Sequence, residues 1–256
     1  MSAWLPAASP VEGMRLFCFP HAGAGASAYR AWTGPLARSG IAVCPVQLPG
    51  RENRMGEPAF RAVEPLVDAL VMGLADRLVP PFALFGHSMG ALVAFELAHA
   101  LRERGAPLPA QLFVSGRIAP QLTDPRGKLH DLSDAELGAR LAELDGMPAA
   151  LLADPEVLAF LLPLLRADLA VNEDYRYSPR PPLPMPITAF GGTGDPKVTE
   201  AELRAWAEQT DAAFAAHSLP GGHFFVQESM RSLLGFLAVE LSRTLAAPRV
   251  PGQGAR

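Results

Sequence analysis

Cysteine is scarce in this 256-residue chain: only Cys18 and Cys44 occur, too few for a zinc site. Both fall in strand-like runs, which suits two packed, reduced thiols in a cytoplasmic protein, with a disulfide between them as the alternative. Basic blocks are missing as well. The formal net charge is −4 and the pI about 5.9, which disfavours a nucleic-acid partner. No apolar run is long enough to span a bilayer, so no membrane partner is expected. Met1–Arg15 has no basic stretch followed by an apolar one, so no secretory leader is expected either. There is no internal repeat. What remains is 49% hydrophobic, ample for a core. The length suits one large α/β domain or two small ones.

The most informative stretch is Pro81–Ala91, P-F-A-L-F-G-H-S-M-G-A. A short apolar run ends in Gly86-His87-Ser88-Met89-Gly90, and a helical apolar pattern over Leu92, Val93, Phe95, Leu97 and Ala98 follows to about Arg104. Strand, sharp turn and helix with a serine at the apex match G-x-S-x-G, the nucleophile elbow. Such a turn leaves little room beside the serine, which accounts for Gly86 and Gly90. The competing reading is a glycine-rich turn carrying an ordinary serine.

Around it, strands are expected at Arg15–Pro20, Ile41–Leu48, Gln111–Ser115, Met185–Phe190 and Ala213–Leu219, with Pro45 marking an edge or a bulge. Helices are expected over Tyr29–Arg38, Val63–Leu78, Thr199–Glu208 (capped by Thr199) and Phe225–Leu245. The alternation predicts a mostly parallel sheet covered on both faces. It breaks between Ala119 and Tyr177, where no strand is expected. A capping box at Ser133–Glu136 opens one helix over Leu137, Leu141 and Leu144, and Asp154-Pro155-Glu156 opens another. The second is apolar around nearly its whole circumference, which suits a lid over a cavity or a buried helix of a plain helical subdomain. The proline-rich Pro179–Pro186 reads as a stiff return to the sheet. Met1–Gly13 and Ala246–Arg256 read as a loose arm and a frayed tail.

A serine hydroxyl needs a neighbouring base, and the base needs an orienting carboxylate. In the hydrolase arrangement the chain order is Ser, Asp or Glu, then His, each at the C-terminal end of a strand. His223 follows the last strand and a Pro-Gly-Gly turn and fits the base. His217 lies inside that strand, His87 within the elbow, His99 mid-helix and His130 in the insertion. Asp195, in the glycine-rich turn Gly191–Pro196, fits the orienter; Asp124 is the competitor. Two amides should receive the oxyanion: that of Met89, directly after the nucleophile, and that of Ala22 in the small-residue loop after the first strand. The same loop could cradle a phosphate, but neither G-K-[ST] nor a dinucleotide fingerprint accompanies it. His21 reads as a brace for the loop rather than a metal ligand. Neither a metal nor an organic cofactor is required by this chemistry.

The motifs F-C-F-P-H-A-G-A-G-A, Q-L-P-G-R-E-N-R, F-G-H-S-M-G-A, S-G-R-I-A-P, L-R-A-D, Y-R-Y, F-G-G-T-G-D-P-K-V-T and L-P-G-G-H-F-F occur in this order within a stretch from about Phe17 to Phe236, most of the chain. Together they resemble the stand-alone type II thioesterases that accompany modular polyketide synthases and nonribosomal peptide synthetases. Two departures from that pattern are visible: A-G-A-G where many relatives carry consecutive glycines, and S-G-R-I-A-P where a second arginine is usual. The resemblance implies an α/β-hydrolase fold over residues 1–256, with a helical lid at about 119–178 and a tail at about 246–256. It implies hydrolysis of acyl groups from the phosphopantetheine thiol of acyl or peptidyl carrier proteins, clearing stalled or aberrant chains. It places the triad on Ser88, Asp195 and His223 and the oxyanion donors on Ala22 and Met89. Alternatives are a small-ester or medium-chain acyl hydrolase of the same fold and a catalytically silent carrier-binding protein. A macrocyclising release domain is disfavoured, since no carrier-like segment precedes the chain.

Overall fold

The computed structural model describes residues 3–6, 13–125, 127–143 and 154–246. Its centre is a six-stranded, all-parallel sheet in the order β2-β1-β3-β4-β5-β6. The strands are β1 (Met14–Phe19), β2 (Ile41–Pro45), β3 (Phe82–His87), β4 (Leu112–Ser115), β5 (Ile187–Gly192) and β6 (Phe214–Leu219).

Strands covered on both faces should be apolar at odd and even positions alike, and these are. Phe17, Phe19, Phe82, Leu84, Leu112, Val114, Ile187 and Ala189 enter one core. Their neighbours Leu16, Cys18, Ala83, Phe85, Phe113 and Phe190 enter the other. The first core is closed by α2 (Val63–Leu74) and α3 (Met89–Glu103), through residues such as Leu66, Leu70, Leu92 and Phe95. The second is closed by α1 (Thr33–Ala37), through Leu36. Cys44 belongs to the first core and Cys18 to the second, so the two thiols lie on opposite sides of the sheet and stay free. That rules out the disulfide alternative. Burial pushes both thiols well above the ordinary range, Cys44 to about 11.

Several boundaries shift. The pairing of β2 stops at Pro45, on an edge strand as its proline requires, while Val46–Leu48 continue buried beyond it. The Tyr29–Arg38 helix is a 3-10 segment, Ala26–Trp32, that continues as α1; Pro35 lies in its first turn, where a missing N–H removes no helical bond. The Val63 helix ends at Leu74, although Leu78 is still buried. β5 runs on through Gly191 and Gly192. Thr199 caps α6 (Glu200–Arg204) through the reciprocal bonds with Glu202 expected of a capping box, and a 3-10 turn, Ala205–Gln209, completes it. The closing helix is two: α7 (Phe225–Glu228) and α8 (Met230–Ala246), the latter packing Leu233, Leu237 and Leu241 into the second core. Ser229 breaks them, because its hydroxyl donates to the Pro220 carbonyl at 2.6 Å and its backbone leaves helical angles.

Between β4 and β5 lie α4 (Asp134–Glu143) and α5 (Pro155–Glu173). The Ser133–Glu136 box is present at the start of α4, and Asp154 caps α5 ahead of Pro155; Leu144 falls outside the described residues. Leu137 and Leu141 of α4 meet Leu162 and Leu165 of α5 in a small separate cluster. The proline-rich return is strapped to α3: Arg102 donates to the carbonyls of Pro181 and Pro182, and Arg180 and Tyr175 both reach the Glu96 carboxylate. The arm at the other end is tighter than expected where it is described. The Trp4 carbonyl accepts from the Gln47 amide at 2.9 Å, and the Arg54 guanidinium lies 4.2 Å over the Trp4 ring. Most of the tail lies outside the described residues.

Candidate active site

Chain order leaves β1 in two directions, to β2 on one side and β3 on the other, and the crevice at such a switch point is where parallel sheets place ligands. Ser88 follows β3 directly at this crevice. Its backbone sits at φ 55°, ψ −116°, in the strained region of the elbow. The two glycines are required by close approach. A Cβ on Gly86 would lie 2.0 Å from the Gly90 carbonyl oxygen, and one on Gly90 would lie 2.0 Å from that of Phe19. The second contact presses the start of α3 against the end of β1, where the loop bearing Ala22 begins, with the Pro20 carbonyl oxygen 2.8 Å from the same Cβ. This brings together the two elements carrying the Met89 and Ala22 amides. Met89 opens α3, where amides have no partner within the helix.

His223 Nε2 is 3.2 Å from Ser88 Oγ, and His223 Nδ1 is 2.8 Å from Asp195 Oδ2. With the proton on Nδ1, the imidazole donates to Asp195 and accepts from the serine hydroxyl. Both distances are within proton-transfer reach. Asp195 Oδ1 accepts the Lys197 amide at 2.8 Å, which fixes the carboxylate from its own loop. The loops carrying Asp195 and His223 are stitched together by main-chain bonds, Thr193 N–H to Leu219 O at 2.8 Å and Gly194 N–H to Gly221 O at 2.9 Å. Asp195 is thus the carboxylate on the imidazole, and the competitor Asp124 is exposed.

The other histidines have separate surroundings. His217 lies between Phe190 and Phe236, at 5.6 and 4.6 Å between ring centres. His130 binds Glu173 at 2.6 Å, and His99 accepts from Arg102. His87 is buried under His223, 5.2 Å between ring centres, with Nδ1 2.9 Å from Ser115 Oγ. Burial, reinforced by the neighbouring His223 and His21, drives its pKa well down, so it adds no second charge beneath the candidate base. His21 braces its loop: its Nδ1 is 3.0 Å from Ala22 O, and the ring packs edge-on against Phe224. Among the described residues no group of three or more His, Cys, Asp and Glu could hold a metal.

Two polar residues at the site carried no assigned role in the sequence. The Gly23 amide, next to Ala22, donates at 2.7 Å to Asp168 of α5, and Asp168 receives Arg51 in a two-pronged pair at 2.7 and 2.8 Å. A loop amide already held by a carboxylate is unavailable to a phosphate. Beside this pair a cavity of about 720 Å³ opens between the loops after β1 and β2 and α5, lined by His21, Gly23, Met55, Phe160 and Leu164 among others.

The model of the thioesterase domain matches residues 14–240. The gramicidin S biosynthesis protein GrsT of Aneurinibacillus migulanus is 42% identical over 237 residues, 93% of this chain and 92% of that protein. Among solved structures, the RedJ thioesterase of the prodiginine pathway in Streptomyces coelicolor superposes with a TM-score of 0.83 at 44% identity, over 93% of this chain and 92% of its own. The type II thioesterase BorB of the borrelidin cluster gives 0.84 at 40% identity, over 94% and 99%. Among the described residues no helix is long and apolar enough to cross a membrane.

Proposed function

Because the chain belongs to the thioesterase domain family and has the α/β-hydrolase fold, we propose that it frees carrier proteins of stalled or aberrant acyl chains in polyketide or nonribosomal peptide synthesis. The observation that carries this reading is the chain of hydrogen bonds from Ser88 through His223 to Asp195 at the switch point. His223 takes the Ser88 proton as Ser88 attacks the carbonyl of the carrier-bound thioester. The Met89 and Ala22 amides receive the oxyanion. The pantetheine thiol departs with a proton from His223, leaving an acyl-serine. His223 then activates water, which releases the acid and restores Ser88.

The chain acts as one domain in this reading, with residues 119–178 as its lid. In it α5 would cover the crevice, and the cavity bordered by its Phe160 and Leu164 and by His21 and Gly23 of the loop after β1 would receive the acyl chain or its pantetheine arm beside the reacting groups. The buried, separate thiols suit a cytoplasmic setting.

The test compares acid release from an acyl-carrier protein by wild type and Ser88→Ala, with an oxygen ester of matched chain length alongside. Wild type releases acid, prefers the carrier-bound thioester and loses activity with the hydroxyl. Equal rates in the two proteins reject the serine mechanism, and preference for the oxygen ester rejects the carrier substrate.

A further inference from the structure

The loop Ala22-Gly23-Ala24-Gly25-Ala26 has no side chain long enough to anchor itself, and glycine-rich backbone has much freedom to lose. Preorganised amides stabilise an oxyanion only if they are already in place when charge develops. Three buried polar side chains from elsewhere hold this loop. Asp168 accepts the Gly23 amide at 2.7 Å, Arg51 donates to the Ala24 carbonyl at 3.1 Å, and Gln47 accepts the Ala26 amide at 2.9 Å. Gln47 in turn donates to the Arg51 carbonyl at 3.0 Å, so the three anchors are joined. The Arg51 and Asp168 side chains are only 4% and 3% exposed, which makes their mutual neutralisation necessary.

We propose that Asp168 is a positioning residue for the oxyanion loop: it holds the Gly23 amide, and through it the Ala22 amide, in the geometry the reaction needs, while Arg51 orients Asp168. The inference rests on the reaction proposed above. It has a further consequence, because Asp168 belongs to α5. At φ +78°, Gly23 adopts a conformation that favours glycine, and a Cβ there would lie 2.7 Å from Leu165 of the same helix. Seating of α5 and order of the oxyanion loop are therefore one event. A displaced α5 takes the Gly23 acceptor with it, so the site is competent only when the helix is in place.

The test uses the full chain carrying Arg51→Met together with Asp168→Leu. This double variant leaves no buried charge unpaired, so it folds with a Tm close to wild type, yet it removes the acceptor for Gly23. The expected result is a fall in kcat of about 10–100-fold with KM for the acyl-carrier substrate within about threefold, somewhat less than deleting an oxyanion donor outright. The Gly23 amide, followed by NMR hydrogen exchange, loses its protection. Arg51→Gln together with Asp168→Val likewise leaves no buried charge unpaired and no acceptor for Gly23; it serves if the first double variant does not fold. A folded variant with kcat within twofold of wild type, or with Gly23 as protected as before, overturns the proposal. Wild type against Ser88→Ala decides the reaction separately, and the exchange rate of Gly23 reports on the clamp whatever that reaction proves to be.

Discussion

α3 and α5 are both predominantly apolar helices, yet they are buried by different means. Twelve of the fifteen residues of α3 are buried, because one side lies on the sheet and the rest is covered by α2, by the strapped proline-rich return and by Trp206. Among the α5 residues whose burial is described, the buried ones all lie from Leu162 onward, and Phe160 is 60% exposed. Its apolar circumference is shared among the small leucine cluster, the α3 side of the core and the cavity wall. A hydrophobic helix is therefore not evidence of one core. It can mark a surface divided among core, satellite cluster and cavity.

Substitutions along the two helices should separate these roles. The largest effect belongs at the entrance to α3: Ser88→Ala should lower kcat by about 10⁶-fold with little change in Tm, read by acid release. In the middle of α3, Phe95→Ala empties a fully buried site against Trp206 and His99. It should destabilise by about 3–5 kcal/mol in denaturant unfolding. Its counterpart Leu162→Ala opens the small cluster and should cost about 2 kcal/mol, the low end for such a truncation, because that cluster collapses more readily. If both losses came out alike, the distinction between main core and satellite would fail.

The pH dependence of stability sharpens the comparison further. Burial, with Arg180 and Arg102 nearby, holds His99 of α3 neutral down to about pH 3, against an ordinary value of 6.5. Below 6.5 the unfolded chain takes up a proton that the folded one refuses until about 3, so this contribution to stability is complete above 6.5 and drains away between those values. Wild-type Tm should fall more steeply across that window than the Tm of His99→Gln, which keeps an acceptor for Arg102. Superimposable profiles would remove His99 as a source of the acid sensitivity. The smallest stability change should come from Phe160→Ala on α5, within about 0.5 kcal/mol, with the effect appearing instead as a higher KM for long acyl chains.

Much of the site was legible because its parts obey local rules. The elbow announces itself through two glycines flanking Ser88, and Asp195 and His223 follow strand ends in a fixed order. The strands declared themselves through apolar runs bounded by turns. The closing helix was harder. Its break at Ser229 depends on a bond to Pro220, in a turn that precedes the helix, and the apolar pattern runs through it undisturbed. The loop anchors were not legible at all as such. Gly23 and Asp168 are 145 positions apart and Arg51 and Asp168 are 117 apart, and no spacing rule links residues that meet only after the sheet has formed. The apolar surroundings of Asp168 on α5 were the available signal, since a carboxylate there requires a partner.

The way the loops bearing Asp195 and His223 are joined has an evolutionary corollary. Main-chain groups of Thr193, Gly194, Leu219 and Gly221 do the joining, so the bonds that set the separation between carboxylate and imidazole run through no side chain at those four positions. At Thr193, Gly194 and Gly221 sequence drift is constrained by backbone shape, and at Leu219 also by packing, because its side chain is buried in the second core. The neighbouring Gly192 is tighter still, because any Cβ there would meet the Gly222 carbonyl oxygen at 2.3 Å. Carboxylate and imidazole are thus held as a fixed unit by the backbone, which leaves the residues around them free to change without moving the pair.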